Sequence, residues 1–356
     1  MMNGLLGEGL WLEVGKDKLM MAKKHILIIY TGGTIGMRVA LHGYEPVTGY
    51  LQAAMQHLAV LQNADMPNYE IHEYQPLIDS ADAEPELWNR IANDIKHHYE
   101  QYDGFLILHG TDTMAYTASA LSFMLQNLAK PVMLTGSQVS LGLTKTDARE
   151  NLINALYLLQ HYPIPEVTVY FNNYVFRGNR VTKVNASSYD AFNSPNFSAL
   201  IKMATMVEIQ MPISKKEVNA PLIIQVIKPA KFMHITLFPG IDADCLRPLV
   251  TALPQAVIIK SYGVGNAPSK NKNLLELLKQ LAEKNILLIN SSQCLQAKVS
   301  MQEYATGQVL FECGAVSAAD MTDEAIICKL YYLFSLALSL KDIKRKFMSN
   351  LNGELT

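Results

Sequence analysis

An apolar run that ends at two glycines constrains the fold more than any other stretch. Residues 26–30 read Ile-Leu-Ile-Ile-Tyr, and Thr31-Gly32-Gly33-Thr34 follows directly. An unbroken run of this kind is typical of a strand buried on both faces. Adjacent glycines allow a sharp turn and a close approach of another chain or a ligand. The run predicts a central strand that presents Thr34 at its carboxyl end, and the segment alone leaves open whether Thr34 is catalytic or belongs to an ordinary turn.

Strand–turn–helix units repeat along the first 200 residues. Residues 105–108 form a second apolar run, which ends at His109-Gly110-Thr111-Asp112-Thr113-Met114 before apolar residues at helical spacing over 114–128. Repeated units of this type indicate an α/β domain with a mostly parallel sheet flanked by helices. Further strands are predicted at 69–74, 131–135 and 166–171, with helices from 84 to 99 and over 148–162.

The length favours two domains rather than one. At 356 residues the chain exceeds the usual size of a single domain. The stretch 203–221 changes character, since prolines and a Lys-Lys pair interrupt weak periodicity, and the α/β pattern then resumes on a smaller scale, with a closing helix predicted over 323–340. The predicted division is a dispensable extension at 1–20, a large catalytic α/β domain at 21–205, a linker at 206–221 and a smaller C-terminal α/β domain at 222–356.

Composition argues against several classes of function. A net charge of −2 with a pI near 6.5 gives no basic surface for nucleic acid or an anionic membrane. No run approaches the ~20 apolar residues that span a bilayer. The four cysteines show no CxxC or Cys/His ligand spacing, which favours free thiols in a cytoplasmic protein.

Motifs for cofactor chemistry are absent from the sequence. The glycines follow neither the Walker nor the GxGxxG spacing, the nine histidines form no HExxH, and there is no GxSxG elbow. No cofactor and no metal are therefore expected. Hydroxyl, carboxylate and amine groups remain at predicted strand ends: Thr34, Ser80, Thr111, Asp112 and Lys183. A threonine nucleophile with a lysine and an aspartate is a coherent alternative to Ser-His-Asp, so the pattern points to an amidase or another acyl-transfer hydrolase.

Each of these residues also has an ordinary structural explanation. Helix capping is the default role for Asp79 and Ser80, and for Thr111 and Asp112. The basic segment 176–183 is typical of a solvated loop, and Tyr44, in a glycine- and proline-containing loop over 37–49, is either a lid residue or a surface aromatic.

Two motifs together resemble a known family. Thr31-Gly32-Gly33-Thr34-Ile35-Gly36, paired with 109–114, is similar to the two signatures of bacterial-type L-asparaginases. The resemblance runs from about residue 23 to 356. It is nearest to the cytosolic type I branch, through 115–123, 261–268 and the ending at 352–355.

The resemblance implies hydrolysis of L-asparagine to L-aspartate and ammonia through a covalent acyl-enzyme. It assigns the nucleophile to Thr34, the lid tyrosine to Tyr44, and a second catalytic cluster to Thr111, Asp112 and Lys183. The implied substrate-binding residues are Gly33, Asp79, Ser80, Ala81, Thr111 and Asp112. Asp112 would hold the α-ammonium, and backbone amides near Thr111 would stabilise the oxyanion.

Assembly and regulation are also implied by the resemblance. It suggests a homodimer with sites at its interface, or a homotetramer built as a dimer of dimers. Type I relatives can also bind L-asparagine at an allosteric site in the small domain, and the resemblance places that site near Lys260, Ser292, Gln293 and Cys294. A type I relative has arginine in the position of Lys260, and a lysine lacks that bidentate fork for a carboxylate.

Two alternative functions use the same pocket differently. An archaeal-type protein that releases ammonia for glutamyl-tRNA amidation would carry an extra N-terminal domain and need a partner. A non-catalytic amino-acid sensor would tolerate the loss of Thr34.

Overall fold

The computed structural model describes residues 22–40, 43–212, 220–301 and 305–356, so the predicted extension at 1–20 lies outside the described residues. The strands of the described residues are β1 (His25–Tyr30), β2 (Met37–Ala40), β3 (Gly43–Pro46), β4 (Asn68–Glu73), β5 (Gly104–Leu108), β6 (Leu125–Gln126), β7 (Val132–Thr135), β8 (Val167–Phe171), β9 (Tyr174–Arg177), β10 (Thr182–Lys183), β11 (Phe192–Asn193), β12 (Ile201–Met203), β13 (Val207–Ile209), β14 (Ile223–Ile224), β15 (Phe232–Thr236), β16 (Ala256–Ser261), β17 (Leu287–Ser292) and β18 (Val316–Ser317). The helices are α1 (Tyr50–Gln56), α2 (Pro85–His98), α3 (Met114–Met124), α4 (Ala148–His161), α5 (Pro248–Ala252), α6 (Lys272–Glu283), α7 (Ala305–Glu312), α8 (Asp323–Ser335) and α9 (Leu340–Phe347).

The large sheet is mostly parallel, which confirms the predicted fold class. Its spatial order is β13-β12-β9-β8-β7-β5-β1-β4. Strands β4, β1, β5, β7 and β8 run parallel, and β9, β12 and β13 extend the sheet with antiparallel pairs. The carboxyl ends of β4, β1, β5 and β7 therefore meet at one edge of the sheet.

The central strand β1 is buried on both faces because its side chains alternate between two cores. Leu27 and Ile29 pack with α2 and α3 on one face, and Ile26 and Ile28 pack with α1 and α4 on the other. The predicted continuous apolar run thus corresponds to the middle layer of a helix–sheet–helix domain.

The smaller domain repeats this three-layer design. Its sheet has the order β15-β16-β17-β18 with parallel pairing throughout. Helices α6 and α7 cover one face, and α8 and α9 cover the other. Helix α8 also packs against α3 of the large domain, where the Cys328 thiol donates to the carbonyl of Tyr116 at 3.2 Å. One helix therefore belongs to both domain cores.

Three predicted elements differ from the structure. The predicted loop over 37–49 contains the hairpin β2–β3, because residues 37–40 pair with residues 43–46 in antiparallel register. The helix predicted to 128 ends at Met124, where β6 pairs with β14. The helix predicted over 323–340 ends at Ser335, and a separate helix, α9, begins at Leu340, where the Ser339 hydroxyl accepts the amide of Asp342 as the N-cap.

The predicted linker contains one strand of the large sheet. Strand β13 forms a hairpin with β12, which places residues 207–209 at the sheet edge. Residues 213–219 of the same segment lie outside the described residues. The division into 21–205, 206–221 and 222–356 therefore stays a prediction.

Candidate active site

The turn after β1 is held by β5 and by the segment that follows β4. The Thr31 amide and hydroxyl both donate to the carbonyl of Leu108, at 3.0 and 3.1 Å, and the Thr31 carbonyl accepts the amide of Ile78 at 2.8 Å. Thr34 then begins a 3₁₀ turn, Thr34–Gly36, and is half-buried. Among the residues whose side chains the structure describes, none hydrogen-bonds to the Thr34 hydroxyl. The backbone that carries Thr34 is therefore fixed at the end of the central strand.

Gly33 joins the two sequence motifs by direct backbone contact. Its φ is 91°, and a Cβ placed there would lie 2.5 Å from both the Cα and the N of Gly110. Only a residue without a side chain fits both conditions. The turn that carries Thr34 and the turn that carries Thr111 therefore pack backbone to backbone.

Substituting Gly33 by alanine is expected to destabilise the fold by about 1–3 kcal/mol through backbone strain alone, and to lower activity by separating the two turns. The free energy of unfolding in denaturant and the turnover number check both effects. Gly49→Ala is the matched control, because Gly49 also has a positive φ of 74° but nothing lies within 4 Å of its Cβ position. Equal and small effects of the two substitutions would contradict this packing.

His109 holds the second turn and is a scaffold residue. Its Nδ1 lies 2.8 Å from the carbonyl oxygen of Gly110, and its Nε2 lies 2.9 Å from the Thr117 hydroxyl on α3. Burial lowers the pKa of His109, and the hydrogen bond to Gly110 only partly opposes this change. The partners assign a neutral ring that donates from Nδ1 and accepts at Nε2.

Lys183 is brought to Thr111 and Asp112 from a distant part of the chain. Its Nζ lies 2.8 Å from Thr111 Oγ1 and 2.7 Å from Asp112 Oδ1. The lysine side chain is 18% exposed, whereas that of Asp112 is 63% exposed. The amine is thus enclosed, and the carboxylate is open to a ligand. The interpretation of this segment as a solvated loop is wrong for Lys183, because its amine forms an ion pair with Asp112.

The capping explanation does not apply to Thr111 and Asp112. Helix α3 has no side-chain cap, and the Thr111 hydroxyl donates to Gln138 Oε1 at 3.1 Å. Gln138, which follows β7, was not among the predicted site residues. Its position after a neighbouring parallel strand was the feature that could have indicated it.

Asp79, Ser80 and Ala81 form a short turn beside these groups. Asp79 Oδ1 accepts the Ala81 amide at 3.0 Å, and the Ser80 carbonyl accepts the Thr113 hydroxyl at 2.8 Å. Ser80 is buried, and its side chain occupies the space that a Cβ on Gly110 would need. Asp79 therefore does have the local capping role, and the turn as a whole is fixed against the Thr111 motif.

Tyr44 lies on β3, where its backbone pairs with Val39 in the hairpin. The hairpin leaves the sheet directly after the Thr34 turn. The structure describes the backbone of Tyr44 and not its side chain.

The four residues of the predicted second site lie together at the ends of β16 and β17. Lys260 Nζ contacts both carboxylate oxygens of Asp323, at 2.8 and 2.9 Å. Gln293 Nε2 donates to the Lys260 carbonyl at 2.9 Å, and the Ser292 hydroxyl accepts the amide of the exposed Cys294 at 3.0 Å. Asp323 was not predicted, since no local pattern links it to Lys260.

Some chemistries find no support in the part of the chain that the structure covers. There, no group of three or more His, Cys, Asp or Glu side chains is arranged to hold a metal ion. The helices of that same part include none with the length and apolarity to cross a membrane.

The fold and the site together indicate the class of protein to which this chain belongs. Two α/β domains place threonine hydroxyls, a lysine and a carboxylate at the carboxyl edge of the larger sheet, which is a set of groups that a hydrolase can use. The model of the N-terminal asparaginase domain matches residues 25–215, and that of the glutaminase/asparaginase C-terminal domain matches 232–347. The chain belongs to the asparaginase family.

Individual relatives agree with this assignment and confirm the predicted resemblance. L-asparaginase 1 of Escherichia coli K12 is 48% identical over 336 residues, which cover 94% of this chain and 99% of that protein. The crystal structure of L-asparaginase I from Vibrio cholerae superposes with a TM-score of 0.88 at 43% identity, covering 94% and 100% of the two chains. A glutamyl-tRNA(Gln) amidotransferase protein of Saccharolobus solfataricus is 32% identical, over 94% of this chain and 77% of that protein.

Proposed function

We propose that this protein is an L-asparaginase that hydrolyses L-asparagine to L-aspartate and ammonia with Thr34 as nucleophile. The observation that carries the proposal is the contact of Lys183 with Thr111 and Asp112, joined through Gly33 and Gly110 to Thr34. The 48% identity to L-asparaginase 1 supports the choice of substrate.

The reaction runs in two halves. The Thr34 hydroxyl oxygen attacks the side-chain amide carbon of asparagine, the C–N bond breaks, and the hydroxyl proton leaves with the nitrogen as ammonia. Water then attacks the resulting aspartyl ester, which releases aspartate and returns a proton to the Thr34 oxygen. Splitting the hydrolysis in this way replaces one difficult step by two easier ones.

The second cluster serves the proton transfers and the orientation of substrate. Lys183 polarises the Thr111 hydroxyl at 2.8 Å, and Thr111 passes the proton to or from the attacking group. The exposed carboxylate of Asp112 binds the α-ammonium of the substrate, and the turn of Asp79, Ser80 and Ala81 binds its α-carboxylate, in part through backbone amides. Backbone amides beside Thr111 stabilise the oxyanion.

A coupled ammonia assay tests this function. The purified chain alone is expected to release ammonia from L-asparagine. L-glutamine is expected to react more weakly but measurably, because the pocket can discriminate against one extra methylene by only ~1–3 kcal/mol. D-asparagine serves as the stereochemical control. Ammonia release only in the presence of a second protein would favour a role as one component of an amidotransferase, for which the 32% identity to the Saccharolobus solfataricus protein is the supporting observation. Binding without turnover would favour an amino-acid sensor.

We further propose a cytoplasmic homodimer or homotetramer with the domain division 21–205, 206–221 and 222–356. The four free cysteines and the relation to type I asparaginases support this proposal. The mass in solution from light scattering distinguishes the two assemblies, and a monomer with full activity would contradict both.

Regulation by L-asparagine at Lys260 is part of the same proposal. Asp323 already contacts the lysine amine through both of its oxygens, and the third N–H of the amine is the donor that we expect a ligand carboxylate to use. Burial lowers the pKa of the neighbouring His234, against the opposing effect of Asp323, and the charge of Lys260 lowers it further. Lys260 is therefore the cation that we expect a ligand carboxylate to contact. We expect sigmoidal dependence of the rate on L-asparagine, and hyperbolic dependence in Lys260→Ala. Strictly hyperbolic kinetics in the wild-type assembly would contradict the regulatory site.

A further inference from the structure

Strand β10, which carries Lys183, is poorly held by backbone pairing. It has two residues and pairs with the two residues of β11, in a short hairpin that the Val184 amide extends to the Ala191 carbonyl and that lies outside the eight-stranded sheet. A displacement of about 1 Å in a catalytic group costs on the order of 100-fold in rate. The position of the Lys183 amine must therefore be fixed by other contacts.

The adjacent residue anchors β10 to the smaller domain. The Thr182 hydroxyl donates to Glu324 Oε1 at 2.7 Å, and both side chains are buried. Neighbouring side chains of a strand point in opposite directions. Thr182 therefore faces the first turn of α8 while Lys183 faces Thr111 and Asp112.

Arg180 makes a second anchor two residues earlier. It is 1% exposed, its Nη1 donates to Asp320 Oδ2 at 3.0 Å, and its Nε donates to the Gly353 carbonyl at 2.9 Å. The Thr356 amide and hydroxyl donate to Asp320 Oδ1 and Oδ2, at 2.9 and 2.7 Å. Burial raises the pKa of Asp320, but the hydrogen bonds from Thr356 and the charge of Arg180 outweigh it, so that the pKa lies below its ordinary value. The carboxylate is charged and shared between Arg180 and the chain end.

We propose that Thr182 and Arg180 are positioning residues for Lys183, and that Glu324, Asp320 and the C-terminal residues 353–356 are the parts of the smaller domain that hold them. The proposal rests on the proposed function, because it gives Lys183 a catalytic role. It assigns to residues 353–356 and to α8 a part in turnover, although neither segment carries a residue of the candidate active site. A purely structural role for these contacts is the alternative.

A double-mutant cycle separates positioning from stability. Thr182→Val removes the donor to Glu324 and is expected to lower kcat for L-asparagine about tenfold, a loss of ~1.4 kcal/mol, with KM changed less than about twofold. Thr182→Ser retains the hydroxyl and is expected to restore most of kcat. In a Lys183→Met background the same Thr182→Val substitution is expected to change the residual kcat less than about twofold. Thr168→Val, a buried threonine of β8 whose hydroxyl donates to the Val132 carbonyl instead, is the matched control.

Deletion of Thr356 gives a second route that leaves the core intact. It removes both hydrogen bonds from the exposed Thr356 to Asp320. The kcat is expected to fall about threefold in the wild type. It is expected to stay unchanged in Lys183→Met, because the contact acts through Lys183. Equal losses in both backgrounds, or no loss from either change, would overturn the proposal. Near-normal turnover of Lys183→Met itself would instead overturn the catalytic role of Lys183, so the two failures are distinguishable.

Discussion

Replacing Thr34 by alanine is expected to abolish ammonia release from L-asparagine and to leave the fold intact. The Thr34 side chain is half-buried, and alanine keeps its Cβ, so we expect the substitution to cost little stability. Loss of a nucleophile lowers kcat on the order of 10⁴-fold or more. The measurements are the coupled ammonia assay and the thermal unfolding midpoint.

Thr31→Ala is the matched control in the same turn. The Thr31 hydroxyl donates to the Leu108 carbonyl and is buried. Its loss is expected to reduce the free energy of unfolding by about 1 kcal/mol, and the unfolding midpoint falls accordingly. Ammonia release is expected to continue. Substantial turnover by Thr34→Ala would remove Thr34 from the nucleophile role. Loss of folding in Thr34→Ala would mean that the hydroxyl has a structural partner.

Replacing Lys183 by methionine is expected to lower kcat by about 10²–10⁴-fold, the usual range for a group that moves protons. Methionine keeps the apolar stem and removes the amine that contacts Thr111 and Asp112 at 2.8 and 2.7 Å. Arginine is not expected to restore activity, because its planar guanidinium cannot replace a compact ammonium between two acceptors. Rates from the ammonia assay at saturating L-asparagine measure the effect.

Lys202→Met is the control for the Lys183 substitution. Lys202 lies on β12 near the sheet edge, in an exposed ion pair with Glu208 at 3.6 Å, and such pairs contribute little to stability. The kcat and the unfolding midpoint of Lys202→Met are expected to match those of the wild type. Near-normal turnover by Lys183→Met would contradict the catalytic role of Lys183.

The strand ends of the large domain could be predicted from local sequence because their causes are local. Apolar runs ending at glycines and hydroxyls define β1 and β5, and parallel neighbours bring their ends to one edge. Lys183 could not be placed this way. Three basic residues within 176–183 have the composition of a solvated loop. Residue type alone grouped Lys183 with Thr111 and Asp112, and the family resemblance supplied its role beside Thr111.

The remaining differences arise from contacts between distant parts of the chain. Arg180 is buried because Asp320, 140 residues away, pairs with it. Helix α3 ends at Met124 because β14, about 100 residues later, pairs with Leu125 and Gln126. Hydrophobic periodicity describes which face of an element is buried, and it contains no information on which remote segment covers that face.

Direct detection of the acyl-enzyme tests the nucleophile assignment most sharply. Lys183→Met is the suitable background, because slower attack of water on the ester favours its accumulation. The enzyme is mixed with L-asparagine, quenched in acid, digested and mapped by mass spectrometry. We predict an added aspartyl group on the peptide that contains Thr34, and none in the Thr34→Ala, Lys183→Met double variant. An aspartyl group on Thr111, or ammonia release from L-asparagine by Thr34→Ala at the wild-type rate, would contradict the account.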